Sequence, residues 1–159
     1  MPNPPARVRC NSFISPQFNP SINPRVNAAI NPRYNPWINP ERNNRISPKF
    51  NFSLNPQLRP SLNPNSNPVL DLKQTRKFSG RYLLTPDSEL AGYMVRTSHE
   101  AVLLIFDTDF NWTSYAVDNG RQGYNLFNPE GEWKGYLLKN DAGGLNEFNL
   151  EGEWVGFVS

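Results

Sequence analysis

Residues 1–68 contain no glycine, and the whole 159-residue chain has one cysteine and one histidine. A single thiol, Cys10, excludes an intramolecular disulfide framework and any all-cysteine zinc site. With His99 as the only imidazole, nucleophile–base pairs and soft metal ligands have almost no raw material, so a protein that is not an enzyme and needs no cofactor or metal is expected. No stretch approaches the roughly 18 apolar residues of a membrane span, and the opening MPNPPARVRCNS lacks the apolar core of a secretory signal. The expectation is no membrane span, with a cytoplasmic location by default or export without a classical signal.

Other scarcities are local. Residues 1–68 hold 14 of the 16 prolines, whereas residues 69–159 hold the other two and all ten glycines. Charge divides at the same place: eight Lys/Arg against Glu41 alone give +7 in the first segment, and eight against thirteen acids give −5 in the second. The formal net charge of +2 is a cancellation between two differently built segments.

In the first segment Asn recurs every fourth residue, usually followed by Pro, and residues 13–68 divide into seven octads: FISPQFNP, SINPRVNA, AINPRYNP, WINPERNN, RISPKFNF, SLNPQLRP and SLNPNSNP. The second position is always Ile or Leu, from Ile14 to Leu62, while the sixth is looser: Phe18, Val26, Tyr34, Arg42, Phe50, Leu58 and Ser66. Proline at this frequency excludes an α-helix, and Asn-Pro is the signature of a β-turn in which the Asn side chain bonds the backbone two residues on. The tetrapeptide resembles the Asn-Pro repeats of circumsporozoite surface coats, which implies a string of β-turns. Two such turns per octad predict a narrow solenoid, with the second and sixth positions facing each other across its interior and Asn side chains in ladders. An arm that orders only against a partner is the alternative, and a disordered proline-rich linker is a third.

The second segment repeats with a period of about 21 residues. LTPDSELAGYMV, FDTDFNWTSYAV, FNPEGEWKGYLL and FNLEGEWVGFVS align with Leu84, Phe106, Phe127 and Phe148 in one column, and Leu90, Trp112, Trp133 and Trp154 in another. Each unit reads as a β-hairpin around a two-residue turn such as Glu130-Gly131 or Glu151-Gly152. Strict alternation then places Phe127 with Tyr136 on one face and Trp133 with Gly135 and Leu137 on the other. GEWKGY at residues 131–136 resembles MORN-type repeats, and the hairpin-plus-loop plan is similar to choline-binding repeats. These resemblances imply a non-catalytic, hairpin-stacked module for binding or tethering. The fold class expected is all-β: a tail over 1–12, the octads over 13–68, a linker over 69–80 and four hairpins over 81–159. The last strand is expected to leave an exposed edge.

Two sets of residues are candidates for binding. Trp112, Trp133 and Trp154, with Tyr115 and Tyr136, form aromatic platforms for carbohydrate or another cell-surface polymer, or else the core between hairpins. Arg25, Arg33 and Lys49 share one octad column and, with Arg45, make a basic stripe. This stripe either binds a polyanion such as nucleic acid, aided by Tyr34 and Trp37, or pairs with the acidic hairpin segment, the reading we favour because the compensating charge is already encoded. The function expected is a structural or assembly protein, forming a homo-oligomer or docking on a larger protein assembly. Carbohydrate binding is the alternative, and nucleic-acid binding the third.

Overall fold

The computed structural model describes residues 13–71, 81–141 and 143–159. The expected tail, Cys10 and most of the expected linker lie outside the described residues. The hairpin units form eight strands: β1 (Arg81–Leu84), β2 (Leu90–Arg96), β3 (Val102–Asp107), β4 (Trp112–Asp118), β5 (Gly123–Phe127), β6 (Trp133–Lys139), β7 (Leu145–Asn149) and β8 (Trp154–Val158). Each pairs antiparallel with its neighbours in sequence, and β8 closes on β1 through Leu83–Val158 and Leu84–Phe157. The result is a closed meander barrel. The free edge expected after the fourth unit is therefore taken up by β1, and closure removes the unpaired edge groups that would template another strand.

The turns carry one residue more than expected. Asn128 N–H donates to Glu132 O at 2.9 Å and Gly131 N–H to Asn128 O at 2.9 Å, with Gly131 at φ +92°. Asn149, Gly152 and Glu153 repeat the arrangement. This is a three-residue loop whose last residue is left-handed. The same place is occupied by Ser88 and Phe110, at φ 68° and 66°. Each hairpin is also bulged, with the register shifting at Leu83/Leu84, Ile105/Phe106, Leu126/Phe127 and Glu147/Phe148. The bulge sets Trp133 opposite Phe127, on the Phe127–Tyr136 face and not with Gly135 and Leu137. Period-two alternation fails there because an extra residue resets the parity.

The inner face is narrow. Leu83, Met94, Ile105, Ala116, Leu126, Leu137, Leu145 and Val158, one from each strand, form a single buried cluster. A Cβ at Gly135 would run into the Phe148 carbonyl oxygen, so the neighbouring backbone occupies the space a side chain needs. Glu147 also lies on this face, opposite Leu137 and Gly156, and burial pushes its carboxyl above the ordinary range. The outer face carries the larger rings: Tyr93–Phe106, Tyr115–Phe127 and Tyr136–Phe148 stack across strands that join successive units, at 5.6–5.8 Å. All six are fully buried although they point away from the barrel interior.

The octads cover them. Residues 13–71 alternate β-turns with short 3-10 turns such as Ala28–Ile30, Pro36–Ile38, Asn44–Ile46 and Phe52–Leu54, and the pattern continues through Pro68–Leu70. There is no strand among them, and their backbone bonds close three- and four-residue turns, as in Val26 and Asn27 N–H to Asn23 O. The expected β-solenoid is thus absent: nothing corresponds to rungs paired by backbone. Nor do the asparagines form ladders. In Asn35, Oδ1 accepts from Trp37 N–H at 3.0 Å while Nδ2 donates to Ala29 O at 2.8 Å, capping one turn and clamping the preceding one. Asn27, Asn43, Asn51 and Asn67 do the same. In these tetrapeptides a short amide that both accepts and donates does what a β-ladder does in a solenoid.

This string of turns forms a belt around the barrel. Ile38, Ile46 and Leu54, with Leu62 and Leu70, pack on Tyr93, Phe106, Tyr115 and Phe127, and Ile22 packs with Tyr136, Phe148 and Trp154. Burying one such side chain is worth about 1.5–3 kcal/mol, which supplies what eight-residue units cannot gain alone. Three polar bonds fix the path: Arg25 donates to Leu150 O, Asn125 Nδ2 to Ile30 O at 3.0 Å, and Asn65 Nδ2 to Phe110 O at 3.2 Å. The belt therefore passes the fourth, third and second hairpins in reverse chain order.

Candidate functional site

Each octad turns one side to the barrel and one to solvent. The second-position Ile/Leu and the fourth-position prolines, from Pro16 to Pro64, lie against the barrel, the prolines all buried. The fifth and sixth positions form the corner of the turn that points away. Phe18, Val26, Tyr34, Phe50 and Leu58 are 53–72% exposed, and Trp37 reaches 80%. The expected pairing of the sixth position with Ile/Leu across an interior is therefore overturned. The octad has no interior of its own, because its apolar contact is made outward, to the barrel. The sequence carries a signal for this: the sixth column admits Arg42 and Ser66, which a buried column would not tolerate, while the second never departs from Ile or Leu.

The basic residues stand beside this apolar column. Arg25, Arg33 and Lys49 are exposed at the fifth position, and Lys49 Nζ lies 5.6 Å from the Phe50 ring centre, within cation–π range. Arg45 is exposed but occupies the first position of its octad, beside Trp37 in a shallow hollow near Val117 and Gly120. The acids Asp87, Glu89, Asp109, Glu130, Glu132, Glu151 and Glu153 ring the hairpin-turn end, all exposed. Belt cations approach them: Arg25 reaches the β7–β8 turn, and Lys49 shares a cleft with Glu41, Glu130 and Gly131. Among the described residues no ion pair joins belt to barrel; the pair present, Lys134–Glu132 at 3.7 Å, is exposed and lies next to one turn.

The aromatic set sits deeper. Tyr115 and Tyr136 are fully buried, and Trp112, Trp133 and Trp154 are half-buried against the outer-face clusters. Trp112 and Trp133 donate Nε1–H to the Ser114 and Gly135 carbonyls of their own strands, each at 2.9 Å. Burial pushes the Tyr136 hydroxyl up to about 12 and that of Tyr115 higher still, so neither ionises near neutrality. Both stand under the left-handed glycine of the next hairpin: a Cβ at Gly131 would lie 3.6 Å from the Tyr115 hydroxyl, and one at Gly152 3.7 Å from that of Tyr136.

His99 Nδ1 accepts from Ala101 N–H at 3.1 Å, a bond that organises its loop. Among the described residues no three His, Cys, Asp or Glu side chains converge as a metal site needs, and no helix is long and apolar enough to cross a membrane. What the surface offers is a repeated face of exposed apolar and basic side chains. Comparison of the chain with protein-family models, with curated proteins and with solved structures finds no match.

Proposed function

We propose that this chain is a non-catalytic structural or assembly protein that associates with further copies of itself through the outward face of the belt. The observation that carries the reading is the column Phe18, Val26, Tyr34, Phe50 and Leu58, solvent-exposed at eight-residue spacing on a belt whose Ile/Leu column packs on the barrel from Ile38 to Leu62. Large exposed apolar side chains in a row mark an interaction surface. A second copy is the natural occupant because one chain holds both signs of charge, a basic belt and an acidic ring of turns.

Light scattering over a concentration series, at low and high salt, tests it. The native protein should gain mass with concentration, and the Tyr34→Ser/Phe50→Ser double variant should stay monomeric with an unchanged circular dichroism spectrum. A native protein that is a strict monomer throughout overturns the proposal.

One observation favours a second reading: the adjacency of Arg33 with Tyr34 and Lys49 with Phe50 suits a single-stranded polyanion, whose phosphates meet the cations while bases stack on the rings. Its mark would be an affinity that falls steeply with salt. Carbohydrate stacking on the Trp column has less support, since those rings are half-buried and two of their N–H groups are engaged.

A further inference from the structure

At the barrel end opposite the hairpin turns, three of the last inward-facing residues described are cations. Arg81 on β1, Arg96 on β2 and Lys139 on β6 share the inner-face register of Met94 and Leu137. With them stand Asp118 on β4 and Tyr124 on β5. Two hollows, of about 430 and 310 Å³, meet at Arg81 and Tyr124. Met94, Leu103, Arg96, His99 and Glu100 line the larger; Lys139, Leu145 and Asp118 line the smaller. Barrel mouths of this volume are recurrent small-molecule sites.

Arg81 lines both hollows, with Arg96 in the larger and Lys139 in the smaller. Among the described residues none of the three cations has a carboxylate within 4.0 Å. Asp118 accepts from Gly120 N–H at 2.7 Å and also lines the smaller hollow, and Glu100 lines the larger. Burial and then Asp118 raise the pKa of the Tyr124 hydroxyl, and Arg81 and Arg96 offset part of that rise. Arg81 and Arg96, on neighbouring strands, line the same hollow as the Tyr124 ring. Below it the inner cluster fills the barrel, so only a short body can enter.

We propose that this mouth binds a small organic anion, a carboxylate or phosphate monoester on a single ring. Arg81 and Arg96 take the charged group, and Tyr124, Met94 and Leu103 receive the ring. Guanidinium forks suit such oxyanions bidentately, which a lone lysine does not. The site is independent of the belt face, so either proposal stands if the other fails.

The test is a titration of the full chain, followed by amide chemical shifts, with phenyl phosphate, benzoate and neutral benzamide as probes. Phenyl phosphate or benzoate should give saturable shifts confined to the mouth, with a Kd of about 1 mM or tighter. Benzamide should give none. Arg96→Gln, at an exposed position, should weaken binding about tenfold or more while leaving the other shifts in place, and Arg81→Gln should do the same. Tyr34→Ser on the belt should change nothing. No saturable shift, equal binding of benzamide, unchanged affinity in both arginine variants, or shifts that map to Arg33 and Lys49 would each overturn the assignment.

Discussion

In the barrel each strand bonds two neighbours and the ring closes between Leu83 and Val158; in the belt, backbone bonds span three or four residues and asparagine amides reach six or seven. The barrel satisfies its backbone by long-range pairing and the belt by local capping. Their apolar needs run the other way. The barrel's interior is complete in itself, but six large rings on its outer face need a cover, and the belt's Ile/Leu column has nothing of its own to pack against. Polar satisfaction and hydrophobic burial, which one ladder supplies together in most sheets, are here supplied by different partners.

Cutting the shared contact is the strongest way to break that division. Leu54 is fully buried between belt and barrel, and Leu54→Ala should cost about 2–5 kcal/mol in urea unfolding. If belt and barrel instead unfold in separate transitions, with only the first shifted, the belt is an accessory and not half of the core.

Asparagine chemistry sharpens the local side of the comparison. Asn43→Ala removes a cap and a clamp and should cost about 1 kcal/mol. Asn43→Asp keeps the acceptor for Arg45 N–H but loses the donor to Trp37 O, and should recover part of the loss. An aspartate variant as unstable as the alanine would show that the clamp, not the cap, carries the effect.

The smallest expected effect lies inside the barrel. Glu147 has its carboxyl pKa raised by burial, so folding favours the protonated form. Its contribution is most favourable below the ordinary carboxyl pKa and falls as pH rises through that value toward the raised one. Denaturation between pH 4 and pH 7 should show this decline in the native protein and a shallower one in Glu147→Gln. The same slope in both would assign the decline to other acids.

The turn string was legible because Asn-Pro has a local mechanism, and the four hairpins because Phe, Trp and Tyr recur in fixed columns. What the sequence concealed has one physical origin: tertiary partners. No local rule says that Leu84 and Phe157 will meet, and that pairing turns an open set of hairpins into a barrel. The bulge before Phe127 reverses a parity that alternation cannot see. The belt's inner and outer columns look equally apolar at Ile30 and Tyr34; only the barrel's rings decide which is covered. As for the candidate site, the basic column was readable at Arg25, Arg33 and Lys49, whereas Tyr115 and Tyr136 went beneath the belt because they complete stacks with Phe127 and Phe148.

Three of the bonds that tie belt to barrel join residues 45, 95 and 125 positions apart, one nested within the next. Loop-closure entropy rises with separation, so docking Asn65 at Phe110 shortens the free loop that must close before Ile30 meets Asn125, and that contact shortens the loop for Arg25 and Leu150. Loop closure alone thus favours docking in the order of a zipper, from the octads nearest the barrel back toward residue 13. During synthesis the octads made first are the last to find their seat, because that seat is the last hairpin to appear.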